Sequence, residues 1–120
     1  CFYNRDWYLN ESFIEKPLET KWFLVRKKVF KESRAKNPES IKNHHHFPSA
    51  ILCVYSFFAY WFHSDACLWE YDFVWCNDFD FIGDRIYVGK YHDVNCIKKN
   101  GFSIHRHLRI RNNYGTIEVI

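Results

Sequence analysis

The stretch FVWCNDFDFIGDRIYVGKY, residues 73–91, decides the fold predicted for this chain. Its opening FVW favours a strand, NDFDFIG at 77–83 is rich in turn-forming residues, and RIYVGKY at 85–91 returns to strand-like alternation. The pattern predicts a β-hairpin. We expect this hairpin to form the middle of a sheet.

Length and composition set the fold class around that hairpin. With 120 residues, the chain suits a single domain, 1–120, with one core. Aromatic residues make up 21% of the chain and Met is absent, which favours strands over a helical bundle. The sequence therefore predicts an α+β fold.

Charge is arranged in blocks along the chain. Residues 16–42 are mainly basic, residues 64–84 carry only acidic charges, and residues 85–111 are mainly basic again. Opposite charges that are adjacent in sequence often face each other across a hairpin. We expect part of the charge to be used in internal ion pairs.

The segment PSAILCVYSFFAYWFH, residues 48–63, predicts the main helix. Proline is favoured at the first helical position, so the helix should begin at Pro48. Because the segment is apolar on nearly every face, we expect a central helix that the sheet buries. The apolar run is shorter than the about 20 residues that span a bilayer, so we expect no membrane span.

Three other segments have weaker patterns. TKWFLVRKKVF at 20–30 predicts a strand, and TIEVI at 116–120 predicts a closing strand. The polar residues 31–46 have no clear period and predict either a loop or a short helix around 38–43.

FSIHRHLRIR at 102–111 alternates like a strand with one apolar face. The inward positions are Phe102, Ile104, Leu108 and Ile110, and the outward positions are Ser103, His105, His107, Arg109 and Arg111. Arg106 falls on the apolar face, so it must either pair with an acid or mark a bulge. The candidate acids are Asp78, Asp80 and Asp84.

The five cysteines are an odd number and include no CxxC pair, so a complete disulfide framework within one chain is impossible. Reduced, mostly buried thiols are the expected state, which favours a reducing cytoplasm.

Catalytic and metal chemistry have few candidate residues. No catalytic motif is present, so we expect no enzyme and no cofactor. An alternative is an intracellular zinc-binding or catalytic domain that uses two HxxxC pairs, His63 with Cys67 and His92 with Cys96. Oxygen ligands for calcium are also present, but a charged hairpin turn explains them more simply; they are Asn77, Asp78, Asp80 and Asp84.

A second alternative is binding of single-stranded nucleic acid by the basic, aromatic C-terminal third. The residues that would contact phosphates and bases are Tyr87, Tyr91, Lys98, Lys99, His105, His107, Arg109 and Arg111.

The order of KWFLVRK, a PSA helix, VWCND, GDRIYVG and LRIRNNYG resembles the target (variable) protein family of diversity-generating retroelements, in its bacterial branch. The resemblance covers residues 21–115, and GDRIYVG at 83–89 is its most specific part. It implies a C-type-lectin-like domain, with antiparallel strands around the central helix, close termini and a ligand face in the last third. The chain departs from the family at residues 95–97, where a Gly-Leu step is missing, and in its closing arginines. Cys76 also interrupts the Trp-Asn-Asp triplet of calcium-dependent lectins, so their sugar chemistry is not carried over.

The leading functional prediction is therefore a non-enzymatic binding domain that displays a polar, basic face to a protein or glycan. The residues expected on that face are Lys98, Asn100, Ser103, His105, His107, Arg109 and Arg111.

Overall fold

The computed structural model describes residues 2–3, 7–91, 101–107 and 110–120. In these ranges the chain has an α+β fold with one five-stranded mixed sheet and one main helix. The strands are β1 (Phe2–Tyr3), β2 (Phe73–Phe79), β3 (Arg85–Tyr91), β4 (Gly101–His105) and β5 (Tyr114–Gly115). The α-helices are α1 (Pro38–Ile41) and α2 (Ala50–Ser64), and short 3-10 helices span Tyr8–Asn10, Ser12–Glu15 and Lys31–Ser33.

The strand order β1-β4-β3-β2-β5 places the predicted hairpin in the middle of the sheet. β3 is antiparallel to both β2 and β4, whereas β1 and β5 pair in parallel with their neighbours. The expectation of antiparallel strands is therefore wrong for the two edges, because each edge pair is joined by a long connection instead of a tight turn. β1 and β5 lie at opposite edges of the sheet.

The main helix begins later than predicted and is buried on one face only. The Ser49 hydroxyl oxygen accepts a hydrogen bond from the Leu52 amide at 3.2 Å, so Ser49 is the N-cap and Pro48 precedes the helix. Cys53 and Phe57 are buried, but Phe62 is 79% exposed. The expectation of a central helix surrounded by the sheet is wrong, because α2 lies against one face of the sheet. No helix in the described ranges has the length and apolar character needed to cross a membrane.

The sheet is apolar on both faces. One face carries Val74, Ile86 and Phe102, and the Phe102 ring lies 4.6 Å from the ring of Phe57 on α2. A second cluster consists of Phe73, Trp75, Tyr87 and Tyr114. Because successive residues of a strand point to opposite faces, the unbroken burial of residues 73–76 follows from having a cluster on each side.

The predicted strand at 20–30 and the closing strand at 116–120 do not form regular ladder strands. They lie side by side, but they share only the bridge between Val25 and Val119 and a few backbone hydrogen bonds. The chain bends at Lys27 and Lys28, whose side chains are exposed, and this bend interrupts the pairing before the Phe30 amide donates to the Thr116 carbonyl at 3.0 Å.

The acidic block pairs with both basic blocks, as expected. Arg34 donates two hydrogen bonds to Asp72, at 2.6 and 2.8 Å, and Lys90 lies 3.3 Å from Glu70. The modest net charge therefore includes charges that are neutralised inside the fold.

Candidate functional site at the hairpin tip

A network of hydrogen bonds fixes the turn between β2 and β3. One Asp80 carboxylate oxygen accepts the amides of Ile82, Gly83 and Asp84 at 3.0, 2.8 and 2.8 Å. Gly83 has a φ of 101°, a left-handed conformation that favours glycine. The turn is thus ordered by an aspartate at its start and a glycine near its end, as the sequence DFIGD allows.

Glu11 and Arg106 complete this network from distant parts of the chain. A Glu11 carboxylate oxygen accepts the Phe81 amide at 3.1 Å. The Arg106 guanidinium lies 3.6 Å from Asp80 and 3.9 Å from Glu11, above the ring of Trp7. Since the Asp80 side chain is 0% exposed and that of Glu11 only 6%, Arg106 balances charges that water cannot reach. The prediction that Arg106 pairs with one of the acids is confirmed.

The ordered tip leaves apolar side chains in solvent. Phe81 is 82% exposed and Ile82 is 65% exposed, and Phe79 next to them is 45% exposed. At the same end of the hairpin, a ring nitrogen of His107 lies 3.2 Å from the Asp84 carboxylate. We refer to Phe79, Phe81, Ile82, Asp84 and His107 as the tip surface.

The predicted basic face is only partly present among the described residues. His107 and Arg111 are exposed, but Ser103 is 0% exposed, so its placement on a solvent face is wrong. β4 is covered on both faces and ends at His105, which stops the expected alternation. Ile110, expected to point inward, is 48% exposed. Lys98, Asn100, Leu108 and Arg109 lie outside the described residues.

The histidine on β4 belongs to the second aromatic cluster. The His105 ring stacks on Tyr87 with centroids 5.3 Å apart, and one of its nitrogens lies 3.0 Å from the Ser103 hydroxyl. Tyr87 is only 4% exposed, so its predicted role in stacking on nucleic-acid bases is wrong. Lys99 and the side chain of Tyr91, also assigned to that surface, lie outside what the structure describes.

Cys76 cannot act as a nucleophile. It is fully buried, and burial, with a smaller contribution from the neighbouring Cys53, raises the pKa of its thiol well above the ordinary value. The thiol stays protonated at neutral pH, whereas nucleophilic attack requires the thiolate.

The buried acidic residues of the hairpin accept hydrogen bonds from within the fold. The buried Asp78 carboxylate accepts hydrogen bonds from Lys16 at 2.8 Å and from the Ala50 amide at 2.7 Å. In the described part of the chain, no group of three His, Cys, Asp or Glu side chains could hold a metal. His63 is exposed and Cys67 is half-buried; His92 and Cys96 fall outside the described ranges, so the zinc hypothesis stays a prediction.

Packing within the fold explains the residue type at several positions of the segment GDRIYVG. A Cβ atom on Gly89 would lie 2.4 Å from the Asp72 carbonyl oxygen, so only glycine fits there. The Arg85 guanidinium lies 4.9 Å from the Phe47 ring centroid and 4.4 Å from that of Phe79. The segment therefore determines the hairpin and its packing.

Comparisons with models of protein families, with curated proteins and with solved structures found no match to this chain.

Proposed function

We propose that this chain is a non-enzymatic protein-binding domain and that the tip surface is its contact site. The observation that carries the proposal is the ordered exposure of Phe81 and Ile82. Two buried carboxylates and Arg106 hold their backbone in place, although neither side chain is buried by the fold.

The energetics of binding favour such a tip. Fixing the backbone of a flexible residue costs roughly 1–2 kcal/mol, and this cost is already met before a partner arrives. Burying a phenylalanine or isoleucine side chain contributes about 1.5–3 kcal/mol. A rigid, convex apolar tip therefore fits a partner protein with an apolar cleft, where a few central residues supply most of the affinity.

The edge of the tip surface adds selectivity. Asp84 and His107 form a polar pair beside the apolar side chains, and polar edge groups mainly set orientation and partner choice. His107 and Arg106 come from the C-terminal third, the part that the resemblance to retroelement variable proteins assigns to ligand display. The C-type-lectin-like fold belongs to the same proposal, and the mixed sheet with one main helix supports it.

Site-specific photocrosslinking tests the proposal. A photoreactive phenylalanine analogue would replace either Phe81 or Phe62, which have nearly equal exposures of 82% and 79% but lie on different surfaces. In a lysate of the source cells, we expect one covalent protein adduct from position 81 that position 62 does not form. The purified partner should then bind the unmodified chain in calorimetry and lose at least tenfold in affinity when Ile82 is changed to Ser.

Equal labelling from both positions, or full affinity in Ile82→Ser, would move the contact site away from the tip. An adduct of twice the chain mass would identify a second copy of this chain as the occupant and would replace the heterologous partner in the proposal.

A further inference from the structure

A separate cavity lies where residues 16–23 pass over the first turn of α2. Its volume is about 370 Å³, within the range of about 300–1,000 Å³ that is typical of small-molecule pockets. Its lining shares no residue with the tip surface.

Polar and apolar groups line the cavity in roughly equal measure, and the apolar part comes from several large side chains. Phe13 and Leu52 are buried, and Phe23, Phe47, Ile51 and Val119 are half-buried. Such walls accept an aliphatic or aromatic body, because each apolar group that leaves water contributes favourably.

Two lysines at the cavity have N–H donors that are not used within the fold. The buried acceptor at the cavity, Asp78, already accepts two hydrogen bonds. The Asp78 carboxylate binds Lys16 and the Ala50 amide. The Lys16 ammonium has three N–H donors, of which one bonds Asp78. Lys21 pairs at 2.6 Å with Glu19, whose exposed carboxylate also lines the cavity, and the Lys21 ammonium likewise has donors left over.

Two further donors face the same space. The Ser49 hydroxyl oxygen accepts from Leu52, and its hydrogen has no partner among the described residues. His46 is exposed at the cavity and has no hydrogen-bond partner in the described part of the chain. Spare donors beside apolar walls fit a ligand with an acceptor-rich, negatively charged head and an apolar body.

We infer that this cavity binds an amphipathic carboxylate, with the head near Lys16, Lys21 and Ser49 and the apolar body against Phe23 and Phe47. The charge-assisted hydrogen bonds fix the head. The apolar side chains of the wall contact the hydrocarbon body and favour ligands that carry one.

Calorimetric titration with sodium octanoate and with 1-octanol tests this inference on the intact chain at pH 7. The two probes have the same chain length and differ in charge. We expect octanoate to bind at least ten times more tightly than 1-octanol. The double variant Lys21→Gln/His46→Gln, which changes only exposed side chains, should remove most of that preference.

Ile51→Trp should block the cavity and abolish octanoate binding. Trp61→Ser, in a separate apolar groove beside Phe57 and Phe58, is the matched control and should leave octanoate binding unchanged. Equal affinity for the two probes would overturn the assignment of the head group. Binding that survives Ile51→Trp, or no binding of either probe at millimolar concentration, would overturn the site.

Discussion

Phe57 and Phe81 contrast sharply in exposure to solvent. Phe57 is 5% exposed and packs its ring on Phe102 between α2 and the sheet. Phe81 is 82% exposed at the hairpin tip. The surroundings of Phe57 are held by apolar packing, whereas those of Phe81 are held by hydrogen bonds to buried carboxylates.

The difference separates what stabilises the fold from what the fold presents to solvent. Packing around Phe57 contributes to stability through the side chain itself. At the tip, the backbone is ordered by Asp80, Glu11 and Arg106, and the Phe81 side chain takes no part in that order. The tip is therefore an ordered part of the fold whose exposed side chains are not needed for that order.

The largest expected effect on stability is at Phe57, the buried residue of the pair. Phe57→Ala should lower the free energy of unfolding by about 3–5 kcal/mol, because it removes buried apolar surface and leaves a cavity against Phe102. Urea unfolding followed by tryptophan fluorescence measures the change. Phe62→Ala, on the same helix but exposed, should cost less than about 0.5 kcal/mol. Similar losses for the two variants would mean that α2 is not anchored by its buried face.

The second effect tests the polar network of the tip. Asp80→Ala removes the acceptor of three backbone amides and the partner of Arg106. We expect a loss of about 2–3 kcal/mol, below that of Phe57→Ala, since the freed amides at the exposed tip can bond water. Hydrogen exchange at Ile82 and Gly83 should accelerate in this variant. Asp84→Ala is the control, and unchanged exchange in Asp80→Ala would show that Asp80 does not order the tip.

The hairpin and one of its distant contacts were predictable from the sequence. Strand alternation and Gly83 indicated the hairpin. A cation on an apolar face had either to pair with an acid or to mark a bulge, and Asp80 was one of three candidate acids for Arg106. The apolar pair Phe81-Ile82 inside a turn was a signal of the exposed tip, because turn positions are rarely buried.

The burial of Ser103 and the contact of Glu11 with Phe81 could not be predicted from the local sequence pattern. Ser103 looked like an outward position, but β4 is covered on both faces, and period-2 alternation does not reveal two-sided burial. Its pairing opposite Gly89 brings two small residues together at a crowded point of the sheet. The contact of Glu11 with Phe81 joins parts of the chain that are far apart in sequence, and no motif marks it.

The third effect is a pH dependence of stability that comes from the buried Cys76 thiol. Burial raises the pKa of Cys76 above the ordinary value of 9.0. Above that pH the unfolded chain releases the thiol proton and the folded chain keeps it, so stability falls as pH rises, by up to about 1.4 kcal/mol per pH unit. Cys76→Ala should reduce this slope between pH 9 and 10.5, whereas Phe62→Ala, which removes no titratable group, should leave it unchanged. An identical slope in wild type and Cys76→Ala would mean that the Cys76 thiol reaches water.

The smallest effect on stability is expected at Phe81, and it is the most informative one for function. Phe81→Ser should change the free energy of unfolding by no more than about 0.5 kcal/mol, because the side chain is largely in water before the change. The backbone amide that bonds Glu11 is retained in the variant. Thermal unfolding and hydrogen exchange at the tip should therefore match wild type, while binding of the crosslinked partner should fall at least tenfold. A loss above about 1.5 kcal/mol would show that Phe81 packs within its own fold, and the tip would then belong with Phe57 as a stabilising element.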